Sequence, residues 1–79
     1  METFIKLLET SDYGIEIPYG HNAYTAYVKP DEERGGYSIL FCKGMMPPHA
    51  TDRAATAEEA AMKVAECADL GHARVIEQD

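Results

Sequence analysis

From residue 56 to residue 71 the chain reads T-A-E-E-A-A-M-K-V-A-E-C-A-D-L-G. At about 100° per residue, its apolar positions gather on one side. Ala57, Ala60, Ala61, Val64, Cys67 and Ala68 make that side, and Glu58, Glu59, Met62, Glu66 and Asp69 make the other. The pattern predicts an amphipathic helix over residues 56–70. Thr56 followed three residues later by Glu59 has the spacing of a capping box, in which hydroxyl and carboxylate each take a backbone N–H at the first turn. Gly71 stands where a helix can end in the left-handed region. The apolar side is mostly alanine, so the helix can lie close on its neighbour. The polar side is an acidic ridge with Met62 at its centre.

A period of two dominates the middle of the chain. In residues 23–29, Tyr24, Ala26 and Val28 oppose Ala23, Thr25 and Tyr27. In residues 37–43, Tyr37, Ile39 and Phe41 oppose Ser38, Leu40 and Cys42. Both segments are rich in β-branched and aromatic residues, as strands are. The polar, glycine-ended stretch of residues 30–36 between them reads as a hairpin loop, kept in solvent by Asp31, Glu32 and Glu33. Residues 3–10 fit either a short helix, through Phe4, Leu7 and Leu8, or a strand. Residues 15–17 alternate as a brief strand that Pro18 ends or places on an edge. A turn follows at residues 19–22. Residues 44–55 carry two prolines and little periodicity, and are expected to form a connection. Residues 72–77 can return as a last short strand. The expectation is a single α+β domain over residues 1–79: a small antiparallel sheet built on the central hairpin, with one main helix packed on one face.

Charge narrows the function. Seven basic against fourteen acidic residues give a net charge of −7 in 79 residues. Direct nucleic-acid binding is disfavoured, because phosphate contacts need cations. Adsorption to an anionic membrane is disfavoured for the same reason, and no apolar run approaches the ~18 residues of a membrane span. The N-terminal segment lacks the basic start of a secretory signal, so the cytoplasm is the expected setting. The partner that suits such a chain is a protein with a basic surface, including one that normally holds nucleic acid.

Candidate chemistry is sparse. His21, Cys42, His49, Cys67 and His72 offer zinc-ligand types, but no tight knuckle pairs them. Cys42 and Cys67 read as packed thiols in a reducing setting, with a disulfide between them as the alternative. No thiol or hydroxyl stands beside a base, and Gly35-Gly36 lacks the helix that a phosphate cradle requires. Neither catalysis nor a cofactor is expected. Of the five tyrosines, Tyr24 or Tyr27 is expected to pair with Tyr37 across the hairpin, while Tyr19, on a turn, is the one most free to face a partner. The candidate docking residues are therefore Glu58, Glu59, Met62, Glu66 and Asp69 on the helix, Asp31, Glu32 and Glu33 on the hairpin, and Tyr19.

Two resemblances follow from these features. Tyr24-Thr25-Ala26, the acidic loop, Gly35-Gly36-Tyr37, Phe41 and the T-A-E-E-A of residues 56–60 resemble, in order, the compact domain of HicB-type antitoxins. That resemblance implies a non-catalytic, truncated ribonuclease H-like layout that neutralises a small basic toxin. Cys42-Lys43-Gly44-Met45-Met46-Pro47-Pro48 departs from the family's P-D-x-P-G-C stretch, about twenty extra residues precede the hairpin, and no DNA-binding module follows the helix. In build, a small acidic α/β chain without catalytic residues is similar to phage anti-CRISPR proteins. That likeness implies a monomer or small homo-oligomer in the host cytoplasm that occupies the DNA-binding surface of a type I CRISPR effector complex.

Overall fold

The hairpin is built from Tyr24–Pro30 (β2) and Tyr37–Lys43 (β3), which pair antiparallel from Tyr24 opposite Lys43 to Pro30 opposite Tyr37. Ala26 opposite Phe41 and Val28 opposite Ile39 set the register. A slip of one residue would turn these side chains out of the core. The computed structural model describes residues 2–20 and 23–76. Ile15–Pro18 (β1), Ala50–Ala54 (β4) and Arg74–Val75 (β5) complete a sheet of order β4-β3-β2-β1-β5, antiparallel at every pairing.

Two helices cover one face. Glu2–Thr10 (α1) buries Phe4 and Leu8, and Ala57–Ala65 (α2) buries Ala57, Ala60, Ala61 and Val64. They meet each other and, with Ile15, Ile17, Ala26, Val28, Ile39 and Ala54, close the core. The alanine side of α2 behaves as its pattern predicts: Ala60 and Ala61 have no exposed surface. The segment left open between helix and strand, residues 3–10, is helical in α1. The opposite face of the sheet carries Tyr27 and Leu40 in one cross-strand row, and among the described residues no helix lies over it.

Three expectations are corrected. The main helix stops at Ala65 and does not run to residue 70. Past that point Ala68 pairs with Tyr19 as an isolated bridge, and a continuing helix would carry it away from that partner. Asp69 then caps a separate 3-10 turn, Leu70–His72, by accepting the Gly71 N–H at 2.9 Å. Gly71 sits inside this turn and not in the left-handed region, so it is not the helix stop. Second, β4 occupies part of the stretch expected as a connection. Only Ala54 of its five residues is buried, so an edge strand held by backbone pairing leaves no alternation to read. Third, the expected tyrosine pair across the hairpin is replaced by Tyr24 opposite Lys43, Tyr27 opposite Leu40 and Tyr37 opposite Pro30. His21 and Asn22 of the expected turn, and Glu77 of the expected last strand, lie outside the described residues.

Gly36 is required at the hairpin end. Its φ is +74°, and a Cβ there would stand 2.4 Å from the Ala54 carbonyl oxygen.

Candidate interaction surface

The cations of this chain are placed so that they neutralise some acids and leave others bare. Asp31 is held first by the guanidinium of Arg53, which also donates to the Gly35 carbonyl at 2.8 Å. It is held next by the backbone N–H groups of Arg34 at 3.1 Å and Glu33 at 3.2 Å. These bonds, led by Arg53, hold its carboxyl below the usual aspartate range. Lys63 reaches from α2 to the Asp52 carboxylate at 3.1 Å, the Glu59 carboxylate at 3.6 Å and the Arg53 carbonyl at 2.7 Å. Asp52 is lowered by the Arg53 N–H and then by Lys63, and Lys63 is raised chiefly by Asp52. Glu59 also takes the Ala55 N–H at 3.3 Å while Thr56 takes the Glu59 N–H at 3.1 Å, so the capping box closes one residue earlier than its usual form. Arg74 pairs with Glu16 at 3.1 Å.

Of the nine candidate docking residues, four therefore have other engagements. Asp31 and Glu59 organise the hairpin loop and the helix start. Asp69 lies beyond the end of α2, bonded to the Gly71 N–H and to His72 at 2.8 Å, which lower its carboxyl in that order. Tyr19 is half-buried: its ring stacks on Tyr24 at 5.5 Å, meets Phe41 edge-on at 5.7 Å, and its hydroxyl lies 3.2 Å from His49 Nε2. Burial raises its hydroxyl above the ordinary value.

The other five remain exposed. Among the described residues, Glu58, Glu66, Glu32 and Glu33 make no ion pair, and Met62 is 59% exposed between the first two. Glu66 caps α2 with helical φ and ψ of −66° and −25°. Glu58, Met62 and Glu66 therefore form one stripe, spaced by about 6 Å of helix per step. Glu2, Glu9 and Asp12 add exposed acids on or just after α1, which packs beside α2. Sequence reasoning missed these, because no pattern says which two helices share a face.

A second feature was also missed. The loop between β3 and β4 carries Met45, fully exposed, and Met46, 65% exposed. A hollow of about 330 Å³ opens beside it between Tyr24, Lys43, Met46, Pro47 and His49. The sequence signal was available: residues 34–51 contain no Asp or Glu in a chain with fourteen.

Among the described residues, no three His, Cys, Asp or Glu side chains cluster as metal ligands. Cys42 is buried, and Cys67, expected on the buried side of the helix, is exposed past its end. Partial burial, and then Glu66, raise the Cys67 thiol, opposite to the direction that activates a nucleophile. No described helix is long and apolar enough to cross a membrane. No protein-family model matches the chain, and neither a curated protein nor a solved structure matches it significantly.

Proposed function

We propose that the protein is a non-catalytic inhibitor that docks its acidic helix face on the nucleic-acid-binding surface of a larger protein assembly. The target that best suits the chain's build is a type I CRISPR surveillance complex, whose DNA the protein would exclude. One observation carries this reading: among the described residues Glu58 and Glu66 are exposed and make no ion pair, on either side of exposed Met62. A row of lysines and arginines that normally contacts phosphates meets such a stripe without leaving bare charge on either side. Charge of this kind steers and accelerates association, while Met62 supplies the apolar contact that discriminates among basic surfaces. The hairpin tip, with Glu32 and Glu33, is a second acidic contact point.

The HicB-like alternative shares one structural feature, a hairpin-based antiparallel sheet with a helix on one face. Under it the basic partner is a small toxin rather than a nucleic-acid complex.

A gel-shift competition tests the proposal. Purified type I complex is mixed with its target DNA and increasing amounts of the protein, wild type or Glu58→Lys/Glu66→Lys. The wild type should abolish the shifted band and the charge reversal should restore it. A shift untouched by the wild type refutes the proposal. Equal inhibition by both proteins removes the helix stripe from the contact.

A further inference from the structure

The β3–β4 loop and the Glu66 end of the α2 stripe come to the same end of the helix-covered face. Tyr24 and Lys43 stand two residues from Ala26 and Phe41 along their strands, so they share the helix-covered face of the sheet. The chain leaving α2 returns to this place, because Ala68 pairs with Tyr19 and Tyr19 stacks on Tyr24. The end of the stripe marked by Glu66 thus adjoins the base of the loop. Their chemistries are complementary. The loop presents Met45 and Met46 beside Lys43, in a stretch without carboxylates, and the stripe presents Met62 between two carboxylates.

From this we infer that the protein associates with a second copy of itself, the β3–β4 loop of each seating on the Glu58–Met62–Glu66 stripe of the other. Because the loop stands at the Glu66 end of the stripe, a two-fold axis makes the contact twice and closes the assembly at two copies. Met45 and Met46 of one chain cover Met62 of the other, and Lys43 meets Glu66. The loop is already shaped for this. Gly44 N–H bonds the Ala23 carbonyl, Met46 N–H the Lys43 carbonyl at 3.2 Å and His49 N–H the Phe41 carbonyl at 2.9 Å, and the Tyr19 hydroxyl holds the His49 ring. Little loop ordering is left to oppose association. The dimer also covers the stripe assigned above to a basic partner, so self-association and partner binding compete. The inference itself does not depend on that partner.

Sedimentation equilibrium of the isolated full chain, from micromolar to millimolar concentration at low salt, tests it. A reversible monomer–dimer equilibrium is expected. Met45→Ser and Lys43→Glu should each weaken it, Met45→Ser by about fivefold or more. Lys43→Glu/Glu66→Lys in one chain should recover association that either single change loses. Circular dichroism of each variant verifies that these exposed positions leave the fold intact. Monomer throughout the range overturns the inference. So do an open-ended series of oligomers, a dimer indifferent to both loop variants, or a double variant no tighter than the single ones.

Discussion

Arg53 on β4 closes on Asp31 at the hairpin loop, and through Gly35 it holds both ends of that loop. An acid that looks like part of an exposed cluster in the sequence is thereby a structural one. The Arg53–Asp31 and Asp52–Lys63 pairs tie β4 to the hairpin loop and to α2, while Glu32, Glu33, Glu58 and Glu66 stay exposed.

The acid limb of the stability profile should report these bonds. Asp31, Asp52 and Asp69 are all lowered from an ordinary value of 3.8. Groups lowered in the folded state stabilise it above that value, and the contribution is lost as pH falls through their folded pKa values. Thermal melts from pH 6 to pH 2 should therefore show a fall in Tm that begins near pH ~4. Asp31→Asn should make that fall shallower while lowering Tm at neutral pH. An identical acid limb in the variant would mean that the Arg53 contact does not persist in solution.

Gly36→Ala should destabilise the fold by about 1–3 kcal/mol from the left-handed backbone alone. The clash of the new Cβ with the Ala54 carbonyl adds to this. Gly35→Ala also meets a positive φ but no atom within 4 Å, so it should cost less. Urea unfolding of the two variants measures the difference, and equal losses would show that the close approach to β4 is relaxed.

Ala61→Leu should cost about 1–3 kcal/mol by overpacking the seam between α2 and the sheet. Met62→Ala, one residue on and exposed, should stay within about 0.5 kcal/mol of wild type in stability. Chemical denaturation separates the two, and a large loss at Met62 would assign it to the core instead of the surface.

How much of this was legible depended on what kind of force formed each part. The β2–β3 hairpin and the buried side of α2 are written in side-chain periodicity, and Ala57, Ala60, Ala61 and Val64 are buried as their spacing predicts. β4 is held by backbone pairing at an edge, and the sequence of Ala50–Ala54 carries no trace of it. The helix end was misplaced because Ala65, Glu66, Cys67 and Ala68 continue a helical pattern locally. A single long-range pairing, Tyr19 with Ala68, decides against it. The candidate surface was legible in part. Glu58, Met62 and Glu66 follow from the wheel alone. The engagement of Asp31 follows from a partner far away in sequence, and that of Asp69 from a turn the wheel did not contain, whereas Glu59 is held by Ala55 and Lys63, both within four residues of it. Met45 and Met46 sit in a stretch with no periodicity, where only the missing carboxylates marked them.

The central claim is that exposed helix carboxylates dock on a basic protein surface, and its most direct test is affinity for the purified type I complex as a function of salt. Surface charges are screened within about 8 Å at physiological ionic strength. Binding of the wild type should therefore weaken steadily as salt rises, and Glu58→Lys/Glu66→Lys should bind far less tightly at low salt. A wild-type affinity that does not change with salt, or that survives the double reversal, would contradict the claim.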